Sequence, residues 1–409
     1  MMQTLDVTNP TRGGLRPIHH RCPNCDSEHM SQFYDVAQIP AYDVVLLASR
    51  EEALNAHKGD LSLAWCPKCG FISNIAFDES LPGYASGLYE STQRFSPTFN
   101  SFAHRLATRL VDQYDLHGKT IIEIGCGQGE FLEQLCQIGG NRGIGFDPAY
   151  AINQRDAVVS DKITFIADFY GEKYSSYHAD FVCCKMTLEH IPQTEDFIRI
   201  VRKSVGDDPN TLVFFQVPNA LHVLQNNVLW DIYYEHCSYF SMGSLARLFR
   251  RCGFDVLALS SDYDDQYIMI EARPGTGSGT PPLPQESDLD AIKQTVEDFT
   301  ASYPVTIARW QTLLRESKQA GRKVVVWGGG SKAVAFLTTL GVTDEIAYAV
   351  DINPYKSGTF IAGAGQEIVA PQFLLSYRPD LVIVMNPIYI DEVRSMLENM
   401  GIDAEVIPS

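Results

Sequence analysis

The sequence predicts an α/β protein of two Rossmann-like units, the second smaller than the first, preceded by a small metal-binding ribbon. Three observations carry this reading. Strand-like and helix-like text alternates through the middle and end of the chain, the pattern of parallel sheets covered by helices. Two strands run into glycine-rich turns, at Gly125-Cys-Gly-Gln-Gly129 and at Gly328-Gly-Gly330. Two Cys-x-x-Cys pairs, Cys22/Cys25 and Cys66/Cys69, precede both turns.

Composition narrows the class of function. A chain of 409 residues with 45% hydrophobic content can bury several cores. Its net charge of −18, with no long basic run to neutralise phosphates, makes nucleic acid an unexpected partner. No run of about 18 apolar residues suggests a membrane span, and Met1 to Arg21 lacks an apolar signal core, so a cytoplasmic protein is expected. The other six of the ten cysteines are scattered, which fits one metal site plus ordinary thiols.

The elements follow in order. The ribbon is assigned to 20–80, with strand-like runs at Asp43 to Leu47 and Leu61 to Trp65. Thiolates from two Cys-x-x-Cys turns close a tetrahedral zinc site with no position open to water, so Cys22, Cys25, Cys66 and Cys69 are read as structural ligands. The first Rossmann-like unit is assigned to 81–275. It opens with a helix from Pro97 to Tyr114, whose apolar residues Phe99, Phe102, Ala103, Leu106 and Leu110 share a face. Strands are expected at Thr120–Ile124, Gly143–Phe146 and Phe181–Met186. Arg273 to Pro284 is rich in turn formers and reads as a linker. A helix of about thirty residues should follow. The last unit, 285–409, carries strands at Lys323–Trp327, Ile346–Val350 and Leu381–Met385.

Each glycine turn has a carboxylate about twenty residues later, as nucleoside-binding folds require. In the first, Gly125, Gly127 and Gly129 allow a tight turn and close approach of a ligand, and Asp147 ends the next strand, placed to accept from ribose hydroxyls. In the second, Asp351 ends the next strand, and taken alone this turn could bind NAD. Candidate chemistry lies in Trp230-Asp-Ile-Tyr-Tyr-Glu-His-Cys-Ser-Tyr-Phe-Ser241. In a helical turn Tyr233 and His236 would offer a phenol and an imidazole to one substrate, although the same text also suits a core-packed aromatic helix. A second histidine, His190, follows the fourth strand.

The first turn, Glu123-x-Gly125-x-Gly127-x-Gly129, resembles the cofactor motif of class I S-adenosylmethionine-dependent methyltransferases. That resemblance makes Asp168 and Phe169 the adenine-contacting position. The whole chain from about 20 to 405 is similar to the nucleotide-sugar 3-C-methyltransferases. The shared motifs are the cysteine pairs, the glycine turn, Leu-Glu-His-Ile, Tyr-Tyr-Glu-His with Tyr-Phe-Ser, and Val-Asp-Ile-Asn-Pro-Tyr-Lys-x-Gly at 350 to 358. The resemblance implies an enzyme that removes a proton next to the ketone of a nucleotide-linked sugar and lets the resulting carbanion take the sulfonium methyl. It places Tyr89 (or Tyr84), His190, Tyr233, Glu235 and His236 around the sugar: His236 as base, Tyr233 and His190 on the developing oxyanion, Glu235 orienting His236 or holding a hydroxyl. The last unit would cradle the nucleotide through Gly328 to Gly330, Ser331 and Lys332; the acidic charge and the attached methyltransferase domain make the ribbon a lid or docking module. Two departures bear on the acceptor: Tyr234 stands where the family usually has histidine, and Asp262 to Ile268 replaces its usual His-Gly-Gly-Ser turn. A non-sugar acceptor, an NAD-dependent oxidoreductase with an appended methyltransferase domain, and a non-catalytic scaffold are the competing readings.

Overall fold

The computed structural model describes residues 15–84, 87–150, 161–275 and 279–409. The leader up to residue 14 and linker residues 276–278 lie outside them. Three sheets organise the chain. The first is antiparallel, in the order β1 (Arg16–His19), β2 (His29–Pro40), β3 (Lys58–Trp65), β4 (Ile72–Asn74) and, from much later in the chain, β10 (Ser238–Tyr239). The run Asp43–Leu47, read as strand-like, forms no strand. It makes only isolated bridges, Val45 with Tyr89 and Leu47 with Phe360, because its neighbours are loops.

The central sheet has seven strands: β5 (Thr120–Ile124), β6 (Arg142–Phe146), β7 (Ile163–Ile166), β8 (Phe181–Lys185), β9 (Leu212–Pro218), β11 (Phe254–Asp262) and β12 (Tyr267–Pro274). Their order is β11-β12-β9-β8-β5-β6-β7, with β5 to β9 parallel and β12 antiparallel to both neighbours. The order reverses at β5, between β6 and β8, so the glycine turn leaving β5 lies at the topological switch point where open α/β sheets bind ligands. The helix Pro97–Tyr114 forms as the apolar spacing predicts; Ser96 caps it by accepting from Phe99 N–H, and Phe102, Ala103, Leu106 and Leu110 are buried.

The third sheet, β13 (Val324–Trp327), β14 (Tyr348–Val350), β15 (Glu367–Val369), β16 (Leu381–Val384) and β17 (Glu405–Pro408), is wholly parallel in the order β15-β14-β13-β16-β17. The helix Leu289–Gln319, 31 residues long, leads into it. One continuous core joins the first sheet, this helix and the third sheet, through Tyr34, Trp65, Phe299, Trp310, Phe336 and Leu381. Trp230 enters the same core, edge-on to Trp310 and Phe336 at centroid distances of 5.8 and 5.2 Å. The loop after Trp230 is thereby anchored where the first and third sheets share a core. No helix among the described residues is long and apolar enough to cross a membrane.

Candidate active site

The first glycine turn is shaped by sterics. Gly125 has φ +69, and a Cβ there would stand 1.9 Å from Thr187 Oγ1, so no side chain fits. Gly129, at φ +92, starts the helix Glu130–Gly139 and packs on the ring of Phe165. A Cβ on Gly127 would meet nothing within 4 Å, which leaves an open face over the turn. Asp147 accepts from Gly127 N–H and Ala149 N–H at 2.8 and 2.7 Å and is held above the usual carboxylate range by burial. Glu123 is buried within β5; burial pushes its carboxyl up to about 8, and it accepts from Leu132 N–H, so it secures the start of the helix. Asp168 is engaged by Lys173 Nζ at 2.5 Å and the Tyr174 hydroxyl at 2.6 Å, and the neighbouring Phe169 ring is exposed. The open turn and its carboxylate fit a nucleoside cofactor.

Back to back with this turn, Thr187 begins the short segment that carries Glu189 and His190 after β8. The sequence suggested a helical turn for Tyr233 and His236. The structure instead has a β-turn, with His236 N–H donating to Tyr233 C=O at 3.2 Å, which still brings the side chains together. The Tyr233 hydroxyl lies 2.7 Å from His236 Nε2. His190 packs edge-on to His236 at a centroid distance of 4.9 Å, and its Nδ1 donates to Glu235 C=O at 3.0 Å. Tyr84 reaches the same Nδ1 at 3.1 Å.

Glu235 does not touch His236. Its carboxylate accepts from Tyr89 O–H at 2.8 Å and Asp43 N–H at 3.0 Å, so it ties the loop to the segments on either side. Both tyrosines weighed in the sequence are therefore at the site, Tyr89 on Glu235 and Tyr84 on His190. Two further carboxyls were missed. Asp43 and Glu189 are 4% and 1% exposed, and neither has a protein partner on either side-chain oxygen. Glu189 was in plain view within Leu-Glu-His-Ile, whereas nothing local marked Asp43.

Burial sets the protonation states. It holds His190 down at about 4 and His236 well below the usual imidazole range, with His190 and Lys332 adding to the latter shift, so both rings are neutral near pH 7. It raises Tyr233 well above its ordinary value, with Asp43 adding to the shift, so the phenol keeps its proton and can donate. Glu235 rises to about 7 and Glu189 to about 8 for the same reason.

The last unit braces this cluster. Lys332, at the start of the helix Ser331–Thr339, pairs with Asp231, and Ser331 lies on the Tyr233 hydroxyl. Its own glycine turn is covered: a Cβ on Gly330 would face Lys356 Nζ at 3.4 Å and Val44 Cγ1 at 3.8 Å. Asp351 is spent on Gly329 N–H, Asn353 N–H and Lys356 Nζ.

The four ribbon cysteines are buried, and their sulfurs lie within 4.8 Å of one another. Cys22 to Cys69 and Cys25 to Cys66 are each 3.7 Å apart. A tetrahedron with metal–sulfur bonds of about 2.3 Å has edges of about 3.8 Å, so the cage fits such an ion. Gly70 (φ +75) completes one knuckle and Asp26 (φ +59) the other.

Comparison with known proteins now decides the class. Residues 93–259 match the family model of a methyltransferase domain, and residues 284–404 that of a C-methyltransferase C-terminal domain. The chain is a methyltransferase. This methyltransferase uses S-adenosylmethionine and is 27% identical over 376 residues to C-methyltransferase NovU of Streptomyces niveus, covering 87% of this chain and 88% of that one. It is 28% identical over 109 residues to the ubiquinone biosynthesis O-methyltransferase of Proteus mirabilis (strain HI4320), covering 25% of this chain and 44% of that one. Among solved structures it aligns with magnesium protoporphyrin IX methyltransferase from Synechocystis PCC 6803 at a TM-score of 0.35 and 15% identity, covering 44% and 84% of the two chains. With human N-acetylserotonin methyltransferase the TM-score is 0.37 at 15% identity, covering 43% and 52%.

Proposed function

We propose that the protein is a C-methyltransferase that removes a proton next to the ketone of a nucleotide-linked sugar. The observation that carries this reading is the set of buried polar atoms left without protein partners around the two histidines: both oxygens of Glu189, both of Asp43, and His236 Nδ1. Buried polar groups need partners. A small acceptor bearing several hydroxyls and a carbonyl would supply them together. The relative NovU, a C-methyltransferase by name and similar over most of both chains, favours carbon as the methylated atom.

In this reading Glu123, Gly125, Gly127, Gly129, Asp147, Asp168 and Phe169 form the cofactor side. S-adenosylmethionine supplies the electrophilic methyl group when bound there. His236 takes the proton, while protonated Tyr233 donates to the oxygen on which charge develops; neutral His190, whose single N–H is engaged by Glu235 C=O, accepts from a hydroxyl of the acceptor at Nε2. Tyr89 and Glu235 hold the loop, and Tyr84 fixes His190. The division into 20–80, 81–275 and 285–409 makes the last unit the brace that sets the loop against the acceptor. Zinc, as the ion held by Cys22, Cys25, Cys66 and Cys69, would fix the ribbon to β10 and so to the same loop; removing it by chelation should release about one equivalent and lower stability.

The test is a screen of thymidine- and uridine-diphosphate keto sugars for solvent deuterium exchange next to the ketone, with and without S-adenosylhomocysteine. Exchange that His236→Ala lowers by about 100-fold or more supports the reading. Methyl transfer to oxygen or nitrogen of another acceptor, with no exchange on any keto sugar, overturns it.

A further inference from the structure

We propose that Glu189 and His236 work as one proton-accepting unit, with Glu189 as the positioning residue that makes the imidazole a competent base. The proposal rests on the proton-abstraction chemistry above. Glu189 C=O accepts Cys237 N–H at 2.9 Å, which stitches its segment to the loop carrying His236. Its carboxyl lies in the interior, with Oε1 4.0 Å from His236 Nε2. That is ion-pair range once the ring is charged. No other cationic side chain pairs with Glu189 among the described residues, and neither of its oxygens is satisfied by the protein.

The arrangement resolves a chemical difficulty. A neutral imidazole buried beside His190 and Lys332 resists protonation and is by itself a weak base toward a carbon acid. A carboxylate at ion-pair distance stabilises the imidazolium that proton removal creates, as in other carboxylate–histidine pairs. The step uses the tautomer with the proton on Nε2, which lies 2.7 Å from Tyr233 Oη and on the Glu189 side of the ring; the lone pair is then on Nδ1, which has no protein partner. In the step itself the C–H bond next to the ketone breaks, its electron pair remains on the acceptor as an enolate, and the proton moves to Nδ1. In the form of the pair that has lost its first proton, above about pH 8, the positive ring then faces the Glu189 carboxylate. Because the two groups interact, they titrate as a pair: the first proton is taken up near pH 8, the value to which burial raises the carboxyl. The titratable groups around this pair are His190, Lys332, Tyr233, Tyr239, Tyr84, Asp43, Glu235, Cys184 and Cys237; burial holds the tyrosines and cysteines above their ordinary values, and Glu235, raised to about 7, is engaged by Tyr89 and Asp43.

The test is nuclear magnetic resonance titration of the His236 ring in the full-length, ligand-free protein, comparing wild type with Glu189→Gln. S-adenosylmethionine affinity serves as the control for folding. The wild-type ring should respond to a step near pH 8; in Glu189→Gln that step should vanish, with cofactor affinity unchanged within about twofold. Solvent exchange into a keto acceptor should fall about 100-fold. A step near pH 8 that survives Glu189→Gln overturns the proposal. If no keto sugar exchanges at all, the function reading fails while the ring titration still decides the pairing. If Glu189→Gln loses cofactor binding, Glu189→Asp decides: its carboxyl is drawn back, so the step must persist at a shifted pH, and an unchanged titration overturns the proposal.

Discussion

The two glycine turns of this chain share a local design and differ in what stands over them. In each, a glycine N–H donates to the carboxylate ending the next strand, Gly127 to Asp147 and Gly329 to Asp351, both at 2.8 Å. A Cβ on Gly127 of the first turn would enter open space, whereas one on Gly330 of the second would face Lys356 and Val44. Asp351 is also paired with the buried Lys356, while no ion pair to Asp147 occurs among the described residues. A nucleoside-binding fingerprint therefore reports a backbone shape, and the side chains that cover it decide whether a ligand can enter. This difference argues against the NAD reading and gives the second turn a different task, holding the loop of Tyr233 and His236 through Lys332 and Ser331.

Gly125→Ala forces a side chain onto Thr187 in a left-handed conformation, and should weaken S-adenosylmethionine binding by about 100-fold or more, ~2.7 kcal/mol by calorimetry. Gly330→Ala, where φ is −124 and the nearest atom is the end of a flexible lysine, should change it less than about threefold. An equal loss in both variants would erase the distinction between the turns.

The carboxylates should part in kind. Asp147→Asn should reduce cofactor affinity by ~10- to 100-fold with little effect on thermal stability. Asp351→Asn strands the buried Lys356 and should cost about 3 kcal/mol of stability in denaturant unfolding, leaving cofactor affinity within about twofold. Lys332→Ala sharpens the bracing role. It should lower kcat by about tenfold without moving cofactor affinity, as expected when a positioning contact is lost; a matching drop in cofactor affinity would place Lys332 at the wrong site.

Much of this was legible because it is local. The helix Pro97–Tyr114 announces itself through a Ser-Pro start and its apolar face, and both glycine turns follow short strands of mostly apolar text. What sequence could not show are pairings between distant segments. Ser238–Tyr239 joins the ribbon sheet by pairing with Ile72 and Ser73, and Asp43 meets Glu235 across 192 positions. The resemblance has Glu235 orient His236 or hold a hydroxyl; in the β-turn its carboxylate turns away from His236 and accepts from Tyr89 O–H and Asp43 N–H. Asp26 escaped notice because a left-handed aspartate carries no signal as plain as the glycine at position 70.

The smallest expected effect is on stability against pH. Burial raises Glu123 and Glu189 to about 8 and Glu235 to about 7, all above the ordinary value near 4.5. Groups raised in this way favour the folded state at low pH, and that contribution is lost as pH climbs through their folded values. The ligand-free protein should therefore melt at progressively lower temperature from about pH 5 to 8.5, and Glu123→Gln should flatten the fall by ~2 °C. A melting temperature that rises across this window would mean these carboxyls are charged in the folded protein.

The most direct test of the contrast between the turns is calorimetric titration of the wild-type protein with S-adenosylhomocysteine and, separately, with NAD. One equivalent of S-adenosylhomocysteine should bind and NAD should give no saturable heat. Saturable NAD binding that Gly330→Val abolishes would contradict the account, because it would mean the covered second turn opens to a dinucleotide after all.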